Sequence, residues 1–160
     1  SIADNITLGR VIYHEQVIGA ARQVGLHDFV MSLPEGYDTV LGERGNNLSM
    51  GQRQQLSLAR ALVVPPRILI LDEATANIDS LTETVILNSL GHLRGQITLI
   101  VVAHRLSTIQ TADQIVVLHH GHVAEQGAHA ELLKHNGIYK RLHLMQELRV
   151  RTEWPILDAP

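Results

Sequence analysis

The sequence predicts an α/β protein in which a small helical region precedes the strands of a parallel sheet. Apolar side chains follow helical spacing in the first part of the chain, where no strand pattern is convincing. A fully apolar run, 68–71, and a largely apolar one, 97–103, then flank a further helical pattern. Because strands covered on both faces by crossover helices are apolar throughout, these runs predict neighbouring parallel strands.

The composition limits the classes of protein to which the chain can belong. Its 160 residues, 45% of them hydrophobic, suffice for one globular core or for two small lobes. A net charge of −3 and a pI near 6.3 give no electrostatic footprint for nucleic acid, so we expect no nucleic-acid partner. Cysteine is absent, which excludes a disulfide framework and a thiolate metal site. The apolar runs are too short to cross a bilayer.

The helical region begins with a helix whose apolar side chains are Val17, Ala20, Ala21 and Val24. Gly25 ends this helix, the segment 29–33 adds a turn or two, and 34–38 is a turn by composition. The glycines in 39–45 suit an exposed loop. Ser1 opens the chain without a methionine or a polar lead-in, and we therefore expect a fragment of a longer protein.

A capping box begins the helix that carries the first candidate site. Ser49 and Gln52 have the spacing at which a cap hydroxyl accepts from the third helical amide and the glutamine reaches back. Unpaired amides and the positive end of a helix dipole bind phosphate, and Gly51 would let the backbone approach closely. We expect Ser49, Met50, Gly51 and Gln52 to contact a phosphate. The alternative is that Ser49 only caps its helix.

Two acids, Asp72 and Glu73, end the first apolar strand. This pattern matches a Walker-B-type strand, in which the first acid holds Mg²⁺ and the second orients or deprotonates an attacking water. The alternative is an ordinary solvated loop at the end of a strand.

A second strand is expected to end beside these acids. Ser80 and Glu83 predict a helix start, and the strand 97–103 delivers His104 to its carboxyl end. Because a parallel crossover is right-handed, Glu73 and His104 should emerge at the same edge of the sheet. The alternative is that His104 is structural.

The last part of the chain is predicted to contain a hairpin and two helices. The strands 115–118 and 123–125 flank a turn that contains His119, His120 and His122. We do not expect these histidines to bind a metal, because no carboxylate pattern surrounds them. The helices 128–134 and 138–148 follow, and 149–160 is expected to be a tail that is poorly ordered or packed on a neighbour. One packing stripe is predicted on the last helix, at Tyr139, Leu142 and Met145.

Taken together and in order, these motifs resemble those of the ATP-binding cassette (ABC) ATPase family. The residues 48–52 are similar to its signature, with Met50 in place of the usual first glycine. The strand 68–73 resembles Walker B with the catalytic glutamate, 76–79 resembles the D-loop in its Asp79, and 103–105 resembles the switch-histidine loop. The resemblance spans about residues 1–147.

The fold that this resemblance implies is a partial P-loop NTPase (RecA-like) core with a parallel sheet, plus an ABC-type α-helical subdomain. The implied parts are a helical subdomain 1–64 with the signature helix, the second half of the ATPase core 65–127, carboxyl-terminal helices 128–148 and a tail 149–160. A Walker A sequence is missing, since the lysines, Lys134 and Lys140, lie far from any glycine-rich loop. The glutamine loop and the adenine-stacking aromatic are missing too.

The resemblance also implies how the residues act. Two such domains pair head to tail, so the signature residues Leu48, Ser49, Gly51 and Gln52 would contact ATP held by the partner domain. Asp72 would bind Mg²⁺, Glu73 would act on the water, and His104 would contact the γ-phosphate. Asp79 would contribute to the dimer contact.

The implied function is ATP hydrolysis that drives transport across a membrane. The loop 39–45 resembles the loop with which exporters contact their membrane domain, so we expect a transmembrane domain, upstream on the same polypeptide, at the cytoplasmic face of a membrane. The partner domain would be identical or different. The isolated chain is expected to be inactive, because it lacks Walker A. The alternative is a soluble ABC ATPase that is not a transporter.

Overall fold

The fold was obtained as a computed structural model, which describes residues 1–72, 80–102 and 109–153. The chain divides into two compact units, a first unit of residues 1–102 and a second unit of residues 103–160. The two units are considered separately below. Within the described residues, the longest and most apolar helices fall short of what a membrane-spanning segment requires.

The amino-terminal part of the first unit is helical, as predicted. Its helices are α1 (Ile2–Thr7), α2 (His14–Gln23), α3 (His27–Met31) and α4 (Met50–Leu62), with 3₁₀ turns at Gly36–Asp38 and Glu43–Gly45. The sequence did not single out α1, although Ser1 and Asp4 form a capping box: Ser1 Oγ accepts from the Asp4 amide at 3.1 Å. Ser1 and Asp4 have the spacing of such a box, and this signal was available in the sequence.

A two-stranded parallel sheet follows, which confirms the predicted strand order. Strand β1 (Ile68–Asp72) pairs with β2 (Thr98–Val102), with Asp72 opposite Val102, and α5 (Ser80–His92) connects them. The prediction that both faces of β1 are covered was wrong. Leu69 and Leu71 are buried, but Ile68 and Ile70 are 58% and 65% exposed, because alternate residues of a strand point to opposite faces and only one face packs into the core.

The core of the first unit joins the helices to the buried face of the sheet in one cluster. Gln55 of α4 is a buried polar residue in this region, and its Nε2 donates to the carbonyls of Val24 and Gly25 at 3.0 and 3.2 Å. These bonds satisfy carbonyls at the end of α2 that have no helical partner. Gly25, with φ of +71°, then lies against α5, where a Cβ would be 2.5 Å from Val85 Cγ1.

The second unit contains the predicted hairpin. Strands β3 (Ile115–His119) and β4 (His122–Gly127) are antiparallel, with a bulge at Val117 and Leu118. His120 and Gly121 connect the strands with φ of 49° and 77°, the two positive values typical of a type I′ turn. The hairpin therefore places the histidines in and beside its turn.

Two helices, α6 (His129–Leu132) and α7 (Ile138–Glu153), follow the hairpin. Because α7 continues to Glu153, the irregular tail that was expected from residue 149 does not begin there. The predicted packing stripe was also wrong: Tyr139 is buried, but Leu142 and Met145 are 50% and 63% exposed.

Polar contacts of Tyr139 and its neighbours replace the predicted stripe. Tyr139 Oη is hydrogen-bonded to His129 Nδ1 at 2.7 Å, and burial raises the pKa of the Tyr139 phenol, so it is neutral at pH 7 and can donate. The Glu125 carboxylate accepts from the amides of Ile138 and Tyr139, which places a negative charge at the amino end of α7. These contacts join α7 to α6 and β4.

We predict that Gly25→Ala destabilises the protein more than Gly9→Ala. Both glycines have similar positive φ, +71° and +72°, so both changes carry a backbone penalty of about 1 kcal/mol. Only at Gly25 does the new Cβ clash with a neighbour, which should add about 1–3 kcal/mol. The free energy of unfolding, measured in denaturant, should therefore fall further for Gly25→Ala. Equal losses for the two variants would contradict the close packing of Gly25 on α5.

Candidate functional site

The first turn of α4 has the predicted capping box. Ser49 Oγ accepts from the Gln52 amide at 3.1 Å, and Gln52 Oε1 accepts from the Ser49 amide at 2.8 Å. No group in the described part of the chain accepts from the amides of Met50 and Gly51. The turn also carries no acidic residue. It therefore has the unpaired donors and the positive dipole end that an anion requires.

Gly51 has a structural role that the sequence analysis missed. A Cβ at this position would lie 2.7 Å from Thr82 Cγ2 and 3.0 Å from Thr82 Oγ1 on α5. Such distances are too short for a real contact, so the missing side chain allows α4 and α5 to pack closely. The sequence pattern showed only a glycine at a helix start, where a ligand is the more obvious reason for it.

Leu48 enters the core with its side chain. It is only 6% exposed and belongs to the hydrophobic cluster of the first unit. Any contact of Leu48 with a nucleotide would therefore involve its backbone. The apolar residue at this position fixes the loop before α4 to the core.

Arg53 is a further residue of the turn that the sequence analysis missed. Its Nη1 donates to the carbonyl of Leu48 at 2.6 Å and to that of Gly45 at 3.2 Å, and its Nη2 lies 3.8 Å from Met50 Sδ. A cation in the first turn of a helix opposes the helix dipole. This conflict is the signal in the sequence that could have marked Arg53.

The preceding loop is held by an asparagine side chain. Asn47 Oδ1 accepts from the Gly42 amide at 3.2 Å, and Asn47 Nδ2 donates to the Val40 carbonyl at 3.4 Å. Arg44 lies in this loop with φ of 55° and is exposed. The loop thus has a defined path and presents a cation to solvent.

Asp72 is the candidate metal ligand in the described part of the site. It is exposed at the carboxyl end of β1, level with the end of β2. An exposed carboxylate fits Mg²⁺, which takes one or two protein carboxylates and completes its octahedron with waters and substrate phosphates. In the part of the chain that the structure describes, no three His, Cys, Asp or Glu side chains are arranged as a metal site, and this includes the histidines of the β3–β4 turn.

The structure brings only some of the predicted residues together. Ser49 and Gln52 are joined directly, whereas neither of them is hydrogen-bonded to Asp72. The remaining predicted residues, Glu73, Asp79 and His104, lie outside the described residues.

Comparison with known proteins identifies the same family as the motifs. Residues 1–76 match the family model described as ABC transporter. The chain is 49% identical over 146 residues to "Multidrug resistance-like ATP-binding protein MdlB" of Buchnera aphidicola subsp. Schizaphis graminum, covering 91% of the chain and 25% of the relative. It is 48% identical over 149 residues to a "Putative multidrug export ATP-binding/permease protein" of Staphylococcus aureus, covering 92% and 26%.

A solved structure supports the relation. A bacterial Atm1-family ABC exporter with ATP bound superimposes with a TM-score of 0.84 at 44% identity, covering 91% of the chain and 26% of the exporter. The expected partial P-loop NTPase fold with an ABC-type helical subdomain is thereby confirmed. The chain spans about a quarter of the length of the curated relatives it matches. By these comparisons the chain is similar to a portion of an exporter-type ATP-binding domain, and its residues 1–76 carry the match to the ABC transporter family.

Proposed function

We propose that the chain is part of a nucleotide-binding domain that hydrolyses ATP at a head-to-tail dimer interface and thereby drives export across a membrane. The observation that carries this proposal is the capped first turn of α4, where the amides of Met50 and Gly51 have no acceptor in the described part of the chain. The relatives named as exporters and multidrug export proteins support the direction of transport and its coupling to ATP hydrolysis.

Ser49 can cap its helix and contact a phosphate at the same time. As the cap, its Oγ accepts from the Gln52 amide, and this bond leaves the hydroxyl proton of Ser49 free to be donated. The γ-phosphate of the partner domain's ATP would then accept hydrogen bonds from this hydroxyl and from the unpaired amides. The buried side chain of Leu48 anchors the start of this turn in the core, and Gln52 fixes the Ser49 amide.

The hydrolytic groups belong to the ATP on the chain's own side. Asp72 would hold Mg²⁺, which neutralises charge on the β- and γ-phosphates when it is bound. Glu73 would orient and deprotonate the attacking water, and His104 would hydrogen-bond the γ-phosphate. Asp79 would contact the partner domain. Each of these residues follows or lies near the carboxyl end of a parallel strand in the sequence, the usual ligand edge of such sheets.

The partners in this proposal are a second nucleotide-binding domain, identical or different, and a transmembrane domain. The loop 39–45 would contact the membrane domain, which places the chain at the cytoplasmic face of a membrane. The open face of the sheet, with Ile70 opposite Ile100, would be covered by the rest of the ATPase core in the longer protein. Parallel sheets are covered on both faces in α/β domains, and this supports the assignment.

A soluble ABC ATPase is the second candidate, since the same site would serve a protein without a membrane domain. The relatives with "permease" in their names and the exporter-like loop favour the transporter. Hydrophobic helices in the full-length protein before Ser1 would distinguish the two candidates.

We predict that Glu73→Gln in the full-length protein preserves ATP binding but lowers turnover by about a hundredfold or more, because a general base is lost while the phosphate contacts remain. Phosphate release and nucleotide affinity are the measurements. Glu35→Gln, an exposed acid in a turn, is the matched control and should leave both unchanged. Unaltered phosphate release by Glu73→Gln would refute the assignment of Glu73.

We predict that the 160-residue chain alone binds Mg-ATP only weakly and does not hydrolyse it. The sequence has no G-x-x-x-x-G-K-[ST] loop, so the amide cradle and the lysine that hold the β- and γ-phosphates are missing from it. Calorimetric titration with Mg-ATP tests this, with the full-length protein as the positive control. Tight binding by the 160-residue chain would contradict the role assigned to the missing loop.

A further inference from the structure

The peptide bond between Leu48 and Ser49 is held on both sides. Its carbonyl oxygen, on Leu48, accepts from Arg53 Nη1 at 2.6 Å. Its N–H, on Ser49, donates to Gln52 Oε1 at 2.8 Å. Because carbonyl and N–H point in opposite directions in a trans peptide, these two contacts together fix the rotation of this peptide plane.

We infer that Arg53 is a positioning residue for the phosphate contact of the α4 turn. Its guanidinium does not itself contact the nucleotide in this proposal. It holds the Leu48 carbonyl away from the phosphate side, so that the Ser49 hydroxyl and the free amides of the first turn face the anion. The inference rests on the proposed function, and it adds a residue to which neither the motif nor the comparisons assign a role.

The shape of the arginine side chain suits this task. One guanidinium bridges two carbonyls, those of Gly45 and Leu48, and its second terminal nitrogen lies near Met50 Sδ. The aliphatic part of the side chain passes Gly45, where a Cβ would be 3.7 Å from Arg53 Cγ and Cδ. We call these two carbonyl contacts of Arg53 Nη1 the clamp. A lysine ammonium also has several donors on one nitrogen, but its side chain is one atom shorter and lacks a second terminal nitrogen, so it should restore the clamp only in part.

In the cleft next to Arg53, no acidic side chain competes with the two carbonyls for its guanidinium. A cleft of about 350 Å³ lies beside the clamp, and its lining residues, Arg44 and Arg53 among them, include no acidic side chain. No carboxylate therefore competes for the guanidinium within this cleft. The positive charge of Arg53 opposes the helix dipole, whereas a phosphate bound at the turn would attract both the guanidinium and the positive end of the dipole.

This arrangement predicts a particular kinetic effect. ATP first binds to the partner domain's Walker A loop, which does not need the α4 turn, and only closure of the dimer brings the turn to the phosphate. Loss of Arg53 should therefore lower kcat and leave the affinity of the open form for ATP nearly unchanged.

The test uses the full-length protein with Arg53→Met, which keeps an aliphatic stem but removes the donors. Arg60→Met is the matched control: Arg60 lies on the same helix and also binds a main-chain carbonyl, with its Nε donating to Asn5 O at 2.7 Å. Hydrogen exchange of the segment 45–52 reports the clamp, and steady-state ATP turnover reports the function. We expect Arg53→Met to speed exchange in 45–52 and to lower kcat by about tenfold, the effect of losing one charged hydrogen bond.

Arg60→Met should affect exchange near residues 2–7 without lowering kcat, and Arg53→Lys should recover part of the lost turnover. Faster exchange with unchanged kcat in Arg53→Met, or equal kcat losses in the two methionine variants, would overturn the positioning role. Failure of the proposed function is detected separately, because Glu73→Gln would then also leave turnover unchanged.

Discussion

The close approach of α4 and α5 at Gly51 and Thr82 is the constraint on which the first unit depends. The helix α4 carries the capped turn, and α5 is the crossover that joins β1 to β2. A side chain on Gly51 would push the two helices apart and would displace the turn from the sheet. One missing methyl group therefore sets the spacing between the candidate phosphate contact and the strand that ends in Asp72. Gly25, packed on Val85 of the same helix α5, adds a second close contact.

The sequence predicted most of the local structure because the deciding signals are local. The capping box of Ser49 and Gln52 requires two residues at fixed spacing, and both of its hydrogen bonds are present. The parallel order of β1 and β2 followed from two apolar runs separated by a helix, and the His120–Gly121 turn followed from its position between two strand patterns. In each case the interacting groups are close in sequence, or the connection permits few alternatives.

Where the predictions failed, the decisive contact lies elsewhere in the chain or outside it. Leu142 and Met145 have helical spacing with Tyr139, but of these three residues the tyrosine alone is buried. Periodicity does not show which face of the helix is covered. The conflict with the helix dipole could have marked Arg53, but its partners could not be predicted, because the path of the loop that ends at Leu48 decides which carbonyls it reaches. The apolar run of β1 predicted cover on both faces, whereas this chain supplies it on one face only.

The exposed face of the β1–β2 sheet would affect how the ATPase core of the longer protein assembles. Ile68, Ile70 and Ile100 point away from the core of this unit, and burial of each such side chain contributes roughly 1.5–3 kcal/mol. A partner segment that covers them gains this free energy only when β1 and β2 are already side by side. Segments distant in sequence would thus be bound by a surface that exists only after this unit has folded, and the assembly of the ATPase core would be cooperative.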